Sequence, residues 1–178
     1  MRKFFTILLA SLMLLGGCAK GSDSSTPAHP KEEAQKTTLP TPTHEPTAEE
    51  VSAAAQKIGI EMVDQTEQMS GEVTFDQVFG YESEEYFVVF GDLPAVEDAA
   101  ELYKAFYQQY ISPAETVEGI EVLKADSDVG NYVVLDAGSY QEGGAYFSMY
   151  RVNDKVVVFL TDSNHAKTAQ QFMDMIDG

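Results

Sequence analysis

Residues 145–160 read Ala-Tyr-Phe-Ser-Met-Tyr-Arg-Val-Asn-Asp-Lys-Val-Val-Val-Phe-Leu. Two apolar runs flank a short polar break, and that pattern predicts a β-hairpin. Asn153-Asp154 forms the centre of the turn, since both residue types tolerate the left-handed backbone that a tight hairpin demands. Along 145–151, Phe147 and Met149 point to one side, while Tyr146, Ser148 and Tyr150 point to the other. Val156 to Leu160 is almost continuously apolar, as befits a strand in a sheet's interior.

Working outward, Tyr132 to Leu135 reads as a further strand and Ile120 to Leu123 as an edge strand. Tyr86-Phe87-Val88-Val89-Phe90, within 85–90, is apolar on both sides and reads as another interior strand. Residues 60–66 form a weak strand, and 72–81 read as strand or turn. Pro94 suits the first turn of a helix over 94–111 that stops before Pro113. Its apolar face is Val96, Ala99, Tyr103, Phe106, Tyr107 and Tyr110. Thr47-Ala48-Glu49-Glu50 fits a capping box opening a helix over 48–58, with Gly59 as its stop. Asp162 or Ser163 caps a last helix whose stripe is Ala166, Ala169, Phe172, Met173 and Ile176. Hairpin-linked strands with two or three helices predict an α+β domain: a mainly antiparallel sheet of five or six strands, with the main helices packed on one face.

Gly59-Ile60, Asp98-Ala99-Ala100-Glu101-Leu102-Tyr103 and Tyr146 to Val156 together give a further reading. Over about residues 48–178 the pattern resembles small extracytoplasmic lipoproteins of Gram-positive bacteria. The resemblance implies an α+β fold and a surface location, and it brings no catalytic residues.

The N-terminus points the same way on separate grounds. Arg2 and Lys3 precede an apolar run from Phe4 to Leu15. Twelve residues are too few to cross about 30 Å of hydrocarbon as a helix, and suit a cleaved leader. Leu15-Gly16-Gly17-Cys18 resembles a bacterial lipobox, and Cys18 is the only Cys in the chain. The resemblance implies acylation of the Cys18 sulfur, cleavage before it, and anchoring in the bilayer at the extracytoplasmic face. Each buried CH₂ contributes about 0.8 kcal/mol, so two acyl chains hold stably. Residues 1–17 are thus expected as a signal peptide, 18–46 as a Pro/Thr/Ser-rich disordered tether holding five of the seven Pro, and 47–178 as the domain.

Charge narrows the class. The chain carries 29 Asp+Glu against 11 Lys+Arg, a net −18. Loss of Arg2 and Lys3 leaves −20. The tether holds −1, so the domain carries −19. Nucleic-acid binding, which needs clustered cations, is excluded on this ground. A single Cys excludes a disulfide framework and Cys-rich zinc sites.

Residues in patterns that support chemistry are few. Residues 126–131, Asp-Ser-Asp-Val-Gly-Asn, approximate a calcium loop, but the sixth-position Gly and a twelfth-position Glu are missing, so a polar turn is expected. Glu82, Glu84 and Glu85 suit a solvated turn. The domain's only His, His165, sits in Asp162-Ser163-Asn164-His165, where a capping role is expected. No metal, cofactor or phosphate-loop motif stands out. The remaining signal is aromatic. Tyr146 and Tyr150 share a face, and Tyr132 and Tyr86 align with them if the strands pair in register. They form an exposed recognition platform, or else they fill a face covered by the first helix and residues 60–81. The reading that follows is a non-catalytic binding or assembly module at the cell surface with a protein partner at the envelope. The alternatives are a hydrolase acting through carboxylates, and a structural envelope component without a small ligand.

Overall fold

A computed structural model describes residues 38–69, 73–138 and 144–177. Its elements are α1 (Ala48–Lys57), β1 (Val63–Asp64), β2 (Gln77–Glu82), β3 (Tyr86–Asp92), α2 (Val96–Phe106), β4 (Glu121–Asp126), β5 (Gly130–Asp136), β6 (Ala145–Val152), β7 (Lys155–Asp162) and α3 (Ala166–Ile176). The strands form one open sheet in the order β1-β2-β3-β7-β6-β5-β4, antiparallel at every pairing. The fold is α+β, as expected, with seven strands rather than five or six.

The β6–β7 hairpin lies at the centre of this order, closed by Asn153 and Asp154, with Asn153 at φ +52°. β7 also pairs with β3 along its length, which joins the N-terminal hairpins to the C-terminal meander. Thr47 caps α1: its hydroxyl accepts from the Glu50 amide, and its own amide donates to the Glu50 carboxylate at 2.8 Å. Gly59 follows at φ +81°, a backbone conformation that only glycine adopts without strain.

The helices pack on both faces of the sheet, not on one. α1 and α3 lie together over Val88, Phe90, Tyr132, Val134, Tyr146, Tyr150, Val157 and Phe159. α2 lies on the other side, over Val133, Leu135, Phe147, Met149, Val156 and Val158. The reason is in β6 and β7, whose consecutive side chains are buried on both sides. A strand apolar on both faces needs two covering layers, and one helical layer would leave Val156, Val158, Phe147 and Met149 in water.

The predicted 94–111 helix begins at Val96 and changes character. After Phe106 it passes into a π-helical turn, Tyr107–Ile111, and then a short α-turn, Ser112–Ala114. Pro113 therefore does not end the helical path. It sits in the first turn of a new segment, where a missing N–H costs little.

Residues 39–46, assigned from sequence to the tether, belong to the domain. Pro42 and Pro46 are buried, and Leu39 packs against the core beneath α1 and α3. The fold is close enough there that Gly130 is required. A Cβ at that position would stand 2.8 Å from the Pro42 carbonyl oxygen and 2.6 Å from that of Arg151. The leader, Cys18 and the tether up to residue 37 lie outside the described residues. No helix among the described residues is long and apolar enough to cross a membrane.

Candidate functional site

The structure brings the four predicted tyrosines onto one face, fully covering three of them and partly covering Tyr86. Tyr132 stands opposite Tyr150 in the β5–β6 pairing, with ring centroids 5.5 Å apart and planes at 73°. Tyr132, Tyr146 and Tyr150 are 3%, 5% and 0% exposed beneath α1 and α3. Tyr86 is half-buried, edge-on to Phe159 at 5.9 Å and to His165 at 5.3 Å. The exposed platform is therefore corrected: these rings are core, because this face too has its helical layer. Burial raises the hydroxyls of Tyr132, Tyr146 and Tyr150 far above the ordinary tyrosine range, and nearby Asp174, Asp136 and Asp177 push the same way. They are neutral phenols that can donate a hydrogen bond but not act as bases.

One of these hydroxyls reaches the strap formed by residues 39–46. The Tyr150 hydroxyl donates to the His44 carbonyl at 2.7 Å. Two residues earlier, the Pro42 carbonyl accepts from the Ser127 hydroxyl at 2.5 Å. The Glu45 carboxylate accepts from Asn153 Nδ2 at 2.5 Å and lies 3.7 Å from Lys155 Nζ. Lys155 also meets Asp92 at 2.8 Å and Asp154 at 2.7 Å. The strap thus crosses the ends of the central strands, from the β6–β7 turn to the β4–β5 turn. This is a peptide held in a groove: alternate carbonyls taken by hydroxyl donors, apolar Pro rings sunk between them, and a carboxylate at a mixed-charge end. A segment already restricted by Pro loses less entropy on docking, so a few contacts suffice to order it. Its composition alone reads as tether, because the partners of Pro42, His44 and Glu45 lie 85 to 108 residues away.

On the opposite face a second polar cluster meets the π-helical turn. Lys124 Nζ contacts the Tyr107 hydroxyl at 3.0 Å and Glu115 at 2.5 Å, and Tyr107 donates to Glu115 at 2.7 Å. Lys124 holds the Glu115 carboxyl below its usual range, with Tyr107 adding to the effect. One row along the sheet, Arg151 is 8% exposed, its Nε donating to Asn131 Oδ1 at 2.8 Å and its Nη1 to the Asn153 carbonyl at 3.1 Å. Asn131 in turn donates to Asp126 at 2.7 Å. These cations are matched by neighbouring oxygens: Lys124 ties β4 to the helical layer, and Arg151 with Asn131 ties β6, β5 and β4 to one another.

The remaining candidates resolve into turns and caps. Asp162 accepts from the amides of Asn164 and His165 and lies 3.1 Å from His165 Nδ1. Ser163 Oγ is engaged with Asp136 and with the Gly144 carbonyl. This is a helix cap, with serine and histidine bound to different partners. Residues 126–131 form the β4–β5 turn, where Ser127 Oγ accepts from the amides of Val129 and Gly130. Among the described residues, no group of three or more His, Cys, Asp or Glu is placed to hold a metal ion. Compared with family models, curated proteins and solved structures, the chain matches none.

Proposed function

We propose that this protein is a lipid-anchored extracytoplasmic module that works by binding a protein partner at the cell envelope. The observation that carries the proposal is the arrangement of residues 2–18: two cations, a twelve-residue apolar run, then Leu-Gly-Gly before the chain's only Cys. That run is too short to span a bilayer and the right length for a leader. The resemblance to small Gram-positive lipoproteins supports the same placement. The domain's charge, −19 from residue 47 onward and −20 with Glu45 of the strap, repels it from anionic lipid and wall phosphates, so the acyl group, not the domain surface, has to supply the attachment.

Replacing Cys18 by Ser tests this reading. Wild-type protein is expected to be cleaved before residue 18 and to incorporate labelled fatty acid, and Cys18→Ser protein to keep its leader, run at the higher mass and incorporate none. Equal processing and equal label in the two would overturn the anchor. The partner is read separately, by crosslinking on intact cells: a discrete adduct supports binding, and its absence at saturating crosslinker contradicts it.

A further inference from the structure

Residues 39–46 join the fold through side-chain contacts, with no strand ladder and no helix of their own. Their backbone engages through the carbonyls of Pro42 and His44, and their side chains through Glu45, Leu39, Pro42, Pro46 and His44, whose Nε2 lies 3.4 Å from the Glu50 carboxylate of α1. The groove residues stand on separate elements: Ser127 on the β4–β5 turn, Tyr150 on β6, Asn153 and Lys155 at the β6–β7 turn. Those elements are already bound to one another by their own ladders. Lifting the strap therefore breaks no strand pairing and no helical hydrogen bond. The segment precedes α1 in the chain, so a pull on residue 38 loads these contacts, the His44–Glu50 contact with α1 among them, before it loads the helix's own hydrogen bonds.

We propose that residues 39–46 are a clasp that opens and recloses while the domain stays folded, uncovering Ser127, Asn153 and the Tyr150 hydroxyl and releasing its length to the tether. Segments held by few contacts open locally, at a free energy below that of global unfolding. Eight released residues add up to about 28 Å of reach. The added reach rests on the anchoring proposed above. The opening does not, and can be read in a soluble chain without any lipid.

The test uses full-length mature protein carrying Cys18→Ser, with one new cysteine at a time. Thr43→Cys is exposed on the strap, Pro42→Cys and Pro46→Cys are buried under it, and Val157→Cys is buried in the central strand β7. Labelling by a thiol reagent is followed across sub-denaturing urea. The Thr43→Cys variant sets the rate of a free thiol. The clasp predicts that Pro42→Cys and Pro46→Cys label more slowly than that, but at least about 100-fold faster than Val157→Cys, and with a much shallower urea dependence. Because either substitution could itself loosen the strap by removing a proline, Leu39→Cys, partly buried and leaving every proline in place, is labelled too and is expected to show the same shallow urea dependence; a slope equal to that of Val157→Cys contradicts the clasp. If either proline variant labels at the rate of Val157→Cys and with the same urea slope, the strap opens only when the whole domain unfolds, and the clasp is wrong.

Discussion

Ser148 lies on the covered tyrosine face between Tyr146 and Tyr150, fully buried, with no hydrogen-bond partner for its hydroxyl among the described residues. An unmatched buried hydroxyl costs about 1–3 kcal/mol of desolvation. Ser148→Ala is therefore expected to leave the thermal midpoint unchanged or raise it, and a loss of more than about 1 kcal/mol would show that the hydroxyl has a partner. Tyr150→Phe keeps the ring and removes the donor to His44, for an expected cost of about 0.5–1.5 kcal/mol in urea unfolding. Glu115 gives a pH signature. Its carboxyl is held below the ordinary value of 4.5, chiefly by Lys124. Its contribution to stability is present above that value and is lost as pH falls through the lowered one. Glu115→Gln should flatten the decline of the melting temperature below about pH 4.5, while parallel curves for variant and wild type would contradict the pairing. The sequence alone places Tyr146, Ser148 and Tyr150 on one side, because strand alternation is local. It does not show what lies above them, since that depends on α1 and α3 meeting over the sheet from opposite ends of the chain.

At the scale of elements, α1 is legible almost to the residue and α3 by its stripe, because caps and apolar stripes are local signals; the expected cap at Asp162 instead opens a 3-10 turn, Ser163–His165, that leads into α3. Thr47→Ala removes the reciprocal cap of α1 and should cost about 1 kcal/mol, read as a lower urea midpoint with an unchanged slope. Phe172, buried in α3 against Phe159 with ring centroids 5.1 Å apart, should cost about 3–5 kcal/mol when replaced by Ala. A loss below about 1 kcal/mol would mean that α3 does not close that face. The end of α2 is harder to read, because the π-helical turn at 107–111 follows no side-chain periodicity that separates it from α-helix. The strap misleads for the opposite reason. Its Pro-rich composition is that of a tether, and the groove that orders it is assembled from turns more than 80 residues away.

For the whole molecule, the α+β class is readable from the run of hairpins, and the signal for helices on two faces is present too, though the one-faced expectation overlooks it. Val156 to Leu160 is apolar without alternation, and such a strand demands cover on both sides. The strand order, with β7 inserted between β3 and β6, joins residues about 70 apart, and no local pattern announces it. The result is an acidic domain of one sheet covered by helices on both faces, entered through the strap of residues 39–46. The anchor proposed above hangs this domain from the bilayer by Cys18. The most direct measurement is the intact mass of the protein extracted from membranes. The proposed anchor predicts a polypeptide beginning at Cys18, heavier than its sequence by a diacylglyceryl group, with the added mass on the N-terminal peptide. An unmodified Cys18, or a mature chain beginning elsewhere, would contradict it.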